Sequence, residues 1–255
     1  MSIQADKIVA VRTTRTVYRD ADTVIKLFDR DCAKADVLSE ALNQARMEQT
    51  QLHVPAVMEV LSENGRWGIR AAYINGVTLE QIMEENPAHK HALLETFVRV
   101  QMQMHAQRCP QLPALKEIIA RRLERAELPR HILDVLHARL AELPAGDAVC
   151  HGDFNPSNVL EADDGLHWVL DWPDAARGDA AADAAQTYLL FSLDEKQLMA
   201  EEYLALYTRE TGIPVLEIVK WIPVAAAAQM AQSRPSQRKL LLKWVEEYLK
   251  EEIKK

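Results

Sequence analysis

Three side chains with oxygen donors stand at a spacing suited to chemistry within residues 149–174: Asp153, Asn158 and Asp171, led in by His151 and Gly152. Two short apolar runs, 158–160 and 166–170, lie between the last two and are separated by Glu161-Ala162-Asp163-Asp164-Gly165. An Asp-Gly step between such runs predicts a β-hairpin. Asn158 then opens one strand and Asp171 closes its antiparallel partner, so the two meet at one end. Asp153, five residues upstream of Asn158, sits in the loop feeding that end. Hard oxygen donors without sulfur or paired imidazoles suit Mg²⁺ better than Zn²⁺ or copper.

The octet His151-Gly152-Asp153-Phe154-Asn155-Pro156-Ser157-Asn158 has the H-x-D-x-x-x-x-N spacing of a protein-kinase catalytic loop, which a metal-binding Asp follows later in the chain. Phosphoryl transfer needs a carboxylate to accept the attacking hydroxyl's proton, a role that suits Asp153. It also needs oxygen ligands that hold metal against phosphates, which Asn158 and Asp171 can supply. The competing reading is a plain turn, because Asp, Asn, Pro and Ser favour turns for local hydrogen-bonding reasons. His151 has no second histidine at ligand spacing, so it is expected to brace the loop. A Cys150–His151 nucleophile pair is discounted, since adjacent strand residues face opposite ways. His89 and His91 likewise face apart on a helix and are expected in solvent.

Strand residues 24–28, Val-Ile-Lys-Leu-Phe, place Lys26 on one face with Val24 and Phe28. Such a lysine is either an edge-strand guard or a buried cation with a task, and the downstream loop favours phosphate binding. A buried ammonium needs a counter-charge. Glu40 or Glu48 on the following helix can supply it, and Glu40 is the choice. No glycine precedes Gly65. The turn Arg12-Thr13-Thr14-Arg15-Thr16 is therefore not a glycine-rich phosphate cradle, and its amides, hydroxyls and Arg12 or Arg15 would have to cover phosphates instead.

The elements that must position these groups divide in two. Residues 7–11, 16–19 and 23–28 read as strands, and Asp31 can cap a helix over 33–50. A second hairpin, 57–61 with 67–73, turns at Asn64-Gly65. After Asn75-Gly76, Thr78 and Gln81 form a capping-box start. Helical periodicity then runs to about 141, and helices resume near Ala180. The last helix, 243–255, packs through Trp244, Val245 and Leu249, and residues 221–231 form a buried helix too short to span a bilayer. The expected fold is α+β, with a small antiparallel-sheet N-terminal lobe carrying one helix (1–75) and a larger, mainly helical C-terminal lobe (76–255). Residues 74–77 are the expected hinge.

Of the 255 residues 48% are hydrophobic and 27% charged, and the formal net charge is −8. This acidity argues against a partner that demands broad phosphate neutralisation, such as nucleic acid. Three scattered cysteines give neither a disulfide framework nor a zinc site. With no apolar signal-peptide core near the N-terminus, a cytoplasmic setting without membrane attachment is expected. The sequence leaves oligomeric state open.

The chain resembles the aminoglycoside phosphotransferase and choline-kinase-like family of small-molecule kinases. The matching pieces are Val24-Ile25-Lys26, Glu40-Ala41, Pro55, Tyr73-Ile74-Asn75-Gly76, the octet from His151 to Asn158, Asp171-Trp172, Gly178-Asp179 and Asp183. They cover about two thirds of the chain in the family's order. The resemblance implies a protein-kinase-like fold that binds ATP and Mg²⁺. Lys26, oriented by Glu40, would hold the ATP phosphates, and adenine would meet the backbone near Ala72 and Ile74. Asp153 would be the catalytic base, Asn158 and Asp171 the metal ligands, and Asp179 and Asp183 braces for the catalytic region.

Between Asp171 and Asp179 there is no long activation segment to dock a protein, which points to a small hydroxylated acceptor such as an aminoglycoside, an amino alcohol or a sugar. Asp174, Asp194, Glu195, Glu201 and Glu202 could receive a cationic acceptor, although solvated helix faces explain each more simply. The expected activity is transfer of the ATP γ-phosphate to an alcohol. A catalytically silent nucleotide binder or scaffold and a metal-dependent hydrolase are the competing readings.

Overall fold

The computed structural model describes residues 7–11 and 15–250. The chain forms two compact units: residues up to Lys90 with Pro156–Asp174, and His91–Asn155 with the chain from Ala175 onward. Arg12 and the end of the expected last helix, 251–255, lie outside the described residues.

The first unit is built on a five-stranded antiparallel sheet of β1 (Lys7–Val11), β2 (Arg15–Asp20), β3 (Thr23–Phe28), β4 (Val57–Glu63) and β5 (Arg66–Ala72), in the order β1-β2-β3-β5-β4. The β4–β5 hairpin turns at Asn64 and Gly65, both with positive φ (51° and 77°), as a two-residue Asn-Gly hairpin turn requires. Helix α1 (Lys34–Met47) buries Val37, Glu40, Ala41 and Gln44, the i, i+3, i+4, i+7 stripe of one helix face. Val37 and Ala41 form a core with Phe28 and Ile69, so α1 packs on the sheet. The cap position is Ala33 rather than the expected Asp31, and no side chain caps it.

Strand β6 (Gly76–Thr78) leads into α2 (Leu79–Glu85), where Thr78 Oγ1 accepts the Gln81 N–H at 3.3 Å. Only half of the expected capping box forms, because the Gln81 side chain donates to Glu85. Helices α3 (Lys90–His105), α4 (Leu115–Leu123) and α5 (Arg130–Glu142) follow. After β7 (Ala148–Cys150) comes the anticipated hairpin, β8 (Val159–Ala162) paired with β9 (His167–Val169). Strand β6 joins it as a third strand, with Gly76 opposite Ala162 and Thr78 opposite Leu160. Sequence reading missed β6, because Gly76 reads as a turn signal.

In the second unit β7 pairs with β10 (Ala176–Gly178), and α6 (Ala180–Leu193), α7 (Gln197–Thr211), α8 (Val215–Val219), α9 (Ile222–Met230) and α10 (Pro235–Tyr248) complete the chain. Helix α3 buries Leu94, Phe97, Val98, Gln101, Met104 and His105. Phe97 stacks on Phe154, with ring centroids 4.4 Å apart. Helix α9 is buried on all sides, which fits its uniformly apolar sequence. Helix α10 starts eight residues earlier than expected, at Pro235, which suits a first helical position. No helix among the described residues is long and apolar enough to cross a membrane.

Candidate phosphoryl-transfer site

Alternation along antiparallel strands gathers one face of the sheet into a cavity. Arg15 and Val17 on β2, Val24 and Lys26 on β3, and Ile69 and Ala71 on β5 share that face, because Val17 pairs with Lys26, Lys26 with Ile69 and Val24 with Ala71. The cavity holds about 450 Å³, within the roughly 300–1,000 Å³ of small-molecule pockets. Ala72, Tyr73 and Ile74 also line it, as do Asn158, Leu160, Leu170 and Asp171. The backbone around Ala72 is spoken for in part: Ala72 N–H donates to Ala56 and Tyr73 N–H to Asp22, both at 2.9 Å.

Lys26 is buried, with 9% of its surface exposed. Its ammonium donates to Glu40, itself only 3% exposed, and to Asp171 Oδ1 at 2.6 Å. The structure thus brings together Lys26, Glu40 and Asp171, and it selects Glu40 over Glu48, whose carboxylate accepts the Val57 N–H instead. Arg15 supplies a second cation, donating to Asp171 Oδ2 at 2.6 Å. Burial works to raise the Asp171 pKa, but the charges of Lys26 and Arg15 outweigh it and hold the carboxyl well below the usual range. Glu40 goes the other way: its burial dominates the attraction of Lys26 and raises its pKa.

Asp171 adopts φ 62°, a left-handed conformation that Asp tolerates better than most residues. The chain after it is held by a residue that sequence reading passed over. Asn43 on α1, 4% exposed, donates to the carbonyls of Trp172 and Pro173, each at 3.3 Å. The hairpin register sets Asn158 beside this turn, since the Leu170 N–H donates to the Asn158 carbonyl at 2.9 Å. An amide and a carboxylate are a sparse oxygen set. No group of three or more His, Cys, Asp or Glu able to hold a metal occurs among the described residues. The donor chemistry of Asn158 and Asp171 fits Mg²⁺, which keeps several waters and takes one or two protein ligands plus phosphate oxygens.

The second unit carries Asp153 on the loop after β7. Gly152 has φ 80°, a conformation glycine adopts without Cβ strain. His151 is fully buried, its Nδ1 accepts the Asp153 N–H at 3.2 Å, and its ring meets the edge of Phe154. This is the bracing role expected of it. Asn155 Nδ2 donates to Asp153 Oδ1 at 3.3 Å and to its carbonyl at 3.0 Å.

Behind the loop lies a buried network around Asp183, which the resemblance implied as a brace, although its other partners were not singled out in the sequence. Asp183 on α6, 2% exposed, accepts the Gly152 N–H at 2.8 Å, His105 Nε2–H at 3.0 Å and Gln101 Nε2–H at 3.2 Å. Gln101 also donates to Thr187, Thr187 donates to the Phe154 carbonyl, and Tyr203 donates to Gln101 Oε1. Tyr207 completes the set by donating to His105 Nδ1 at 2.8 Å. Its phenol is pushed up by burial and then by Asp183, so it stays protonated. Asp183 is buried, but hydrogen bonding from His105 and Gly152 prevails and holds its pKa down. The available signal was Gln101 and His105 four apart in an apolar helical stripe. Asp179 caps α6 through the Ala181 N–H and also accepts from Trp221 Nε1.

Three of the five acidic candidates for a cationic acceptor meet other side chains: Glu202 with His91 on α3, Glu201 with Gln197, and Asp194 with Lys196. His91 is therefore an ion-pairing surface residue.

The model of the phosphotransferase enzyme family matches residues 7–219. The chain belongs to the phosphotransferase enzyme family. Its place there agrees with solved structures. A thermostable mutant of aminoglycoside phosphotransferase APH(4)-Ia, in ternary complex with AMP-PNP and hygromycin B, superposes with TM-score 0.68 at 15% identity, covering 97% of this chain and 92% of that one. A choline/ethanolamine kinase family protein from Mesorhizobium loti gives TM-score 0.59 at 18% identity, over 97% and 89% of the two chains. Choline kinase LicA from Streptococcus pneumoniae gives 0.59 at 14% identity, over 97% and 92%. No curated protein sequence matches. This member of the phosphotransferase enzyme family has the protein-kinase-like α+β fold, with a small antiparallel-sheet lobe and a larger, mainly helical one.

Proposed function

We propose that this phosphotransferase moves the γ-phosphate of ATP to a hydroxyl of a small molecule: an aminoglycoside-like compound, an amino alcohol or a sugar. The observation that carries the reading is the buried Lys26 ammonium, tied to Glu40 and Asp171 in a cavity of small-molecule size. Residues 1–75 form the nucleotide-binding lobe in this reading, and 76–255 the lobe with the catalytic loop. The apolar face of Val17, Val24 and Leu160 receives the adenine, and the backbone near Ala72 and Ile74 meets its edge. Lys26 holds the phosphates and Glu40 orients it. Asn158 and Asp171 hold Mg²⁺, which when bound neutralises charge on the transferred group. The Asp153 carboxylate accepts the acceptor's hydroxyl proton as that oxygen bonds to the γ-phosphorus and ADP leaves. The reading sets the enzyme in the cytoplasm, with neither nucleic acid nor membrane as a partner.

Thermal unfolding with and without Mg-ATP tests the nucleotide half of this proposal. A ligand at 100 times its Kd stabilises the folded state by about 2.7 kcal/mol, a rise of roughly 5–10 °C for a chain of this size. Lys26→Met should remove the rise. A wild-type protein whose melting temperature ignores Mg-ATP would contradict the proposal. A rise without transfer to any hydroxyl compound would favour a silent nucleotide binder.

A further inference from the structure

The glycine-free first turn leaves open what replaces backbone amides as the cover over the phosphates, and the geometry points to Arg15. It stands at the start of β2, on the sheet face that carries Lys26, and it lines the same cavity. Its guanidinium is drawn inward, with 20% of the side chain exposed, and donates to Asp171 at 2.6 Å. Lys26 already neutralises Asp171 from the other oxygen, so Arg15 makes this a three-charge cluster with two cations on one carboxylate. Glu40 bonds to Lys26, and its charge also acts on Arg15.

We infer that Arg15 is a phosphate-binding residue of this chain. Before ligand arrives it is stored on Asp171, and it passes to a nucleotide phosphate oxygen when Mg²⁺ takes that carboxylate. The inference rests on the nucleotide reading above. Its chemistry is simple: guanidinium matches a phosphate as it matches a carboxylate, through paired N–H donors. An exchange of one oxyanion for another keeps the cation compensated at every stage. In this chain a side chain thereby does what glycine backbone does elsewhere.

The test compares wild type, Arg15→Gln and Arg15→Lys by calorimetric binding of ATP and of adenosine, each with Mg²⁺ and with EDTA. Circular dichroism melts of the same samples report folding. The inference expects Arg15→Gln to bind Mg-ATP at least about tenfold more weakly, to bind adenosine as wild type does, and to recover partly as Arg15→Lys. The loss should shrink in EDTA, where Arg15 stays on Asp171. Unchanged or tighter Mg-ATP binding by Arg15→Gln would overturn the inference, since Arg15 would then be only a counter-ion of Asp171. Equal losses for ATP and adenosine would also overturn it, by showing an effect on the base pocket or the fold. If wild type binds neither compound, the nucleotide reading falls, and this inference with it.

Discussion

Asp183→Ala is expected to destabilise the second unit severely. The carboxylate is 2% exposed and accepts three hydrogen bonds, from the Gly152 backbone, His105 and Gln101. Alanine leaves all three donors buried beside a small void. Each orphaned buried donor costs about 1–3 kcal/mol, and the substitution leaves three of them. A loss near 4 kcal/mol, at roughly 2–4 °C per kcal/mol, lowers the melting temperature by about 8–16 °C. Asp183→Asn should cost clearly less. Its carbonyl still accepts from Gly152, and His105 can switch tautomer so that Nε2 accepts from the new amide while Nδ1 donates to Tyr207. Urea unfolding followed by tryptophan fluorescence measures both variants. A cost below about 1 kcal/mol for Asp183→Ala, or equal costs for the two, would refute the network as the support of the loop.

Gly76→Ala tests the β6–β8 contact. A Cβ there would lie 2.5 Å from Leu160 Cδ2 and 2.8 Å from the Ala162 backbone. Overpacking of this kind costs about 1–3 kcal/mol, so the variant should unfold at lower urea, and an unchanged midpoint would be inconsistent with the strand. Stability should also depend on pH. Asp171 and Asp183 have folded pKa values below their ordinary 3.8. Their contribution is present above that value and is lost as pH falls through the folded values. Glu40, raised from 4.5, acts oppositely, since protonating it relieves a buried charge. Urea midpoints should therefore hold or rise slightly as pH falls towards 5 and drop below about 4. Asp171→Asn should make that drop shallower, and an acid limb identical to wild type would count against the Lys26–Asp171–Arg15 cluster.

The sequence disclosed the parts of the fold whose signals are local. Asn64-Gly65 and Asp164-Gly165 each mark a hairpin that forms, and Lys26 in an apolar strand did find Glu40, because the α1 stripe that packs on the sheet contains that residue. Strand β6 escaped notice because its pairing with β8 joins residues more than eighty positions apart. Asp31 lost the cap because helix α1 begins three residues later, at Lys34, and Ala33 in the cap position has no side-chain acceptor. The network of Gln101, His105, Tyr203 and Tyr207 looked like ordinary core spacing, since periodicity reports which face is buried and not what it bonds to. Arg15 was legible as a nearby charge, whereas its bond to Asp171 spans 156 positions and exists only through the tertiary fold.

The measurement closest to the central claim is phosphate transfer from γ-labelled ATP to a panel of aminoglycosides, amino alcohols and sugars, run with wild type and with Asp153→Asn. General-base catalysis is worth about 10²–10⁴ in rate. The account predicts a labelled product from at least one hydroxyl compound and a fall of that size in the variant, with Mg-ATP binding and melting temperature retained. A panel with no labelled product, or an Asp153→Asn enzyme as fast as wild type, would contradict it.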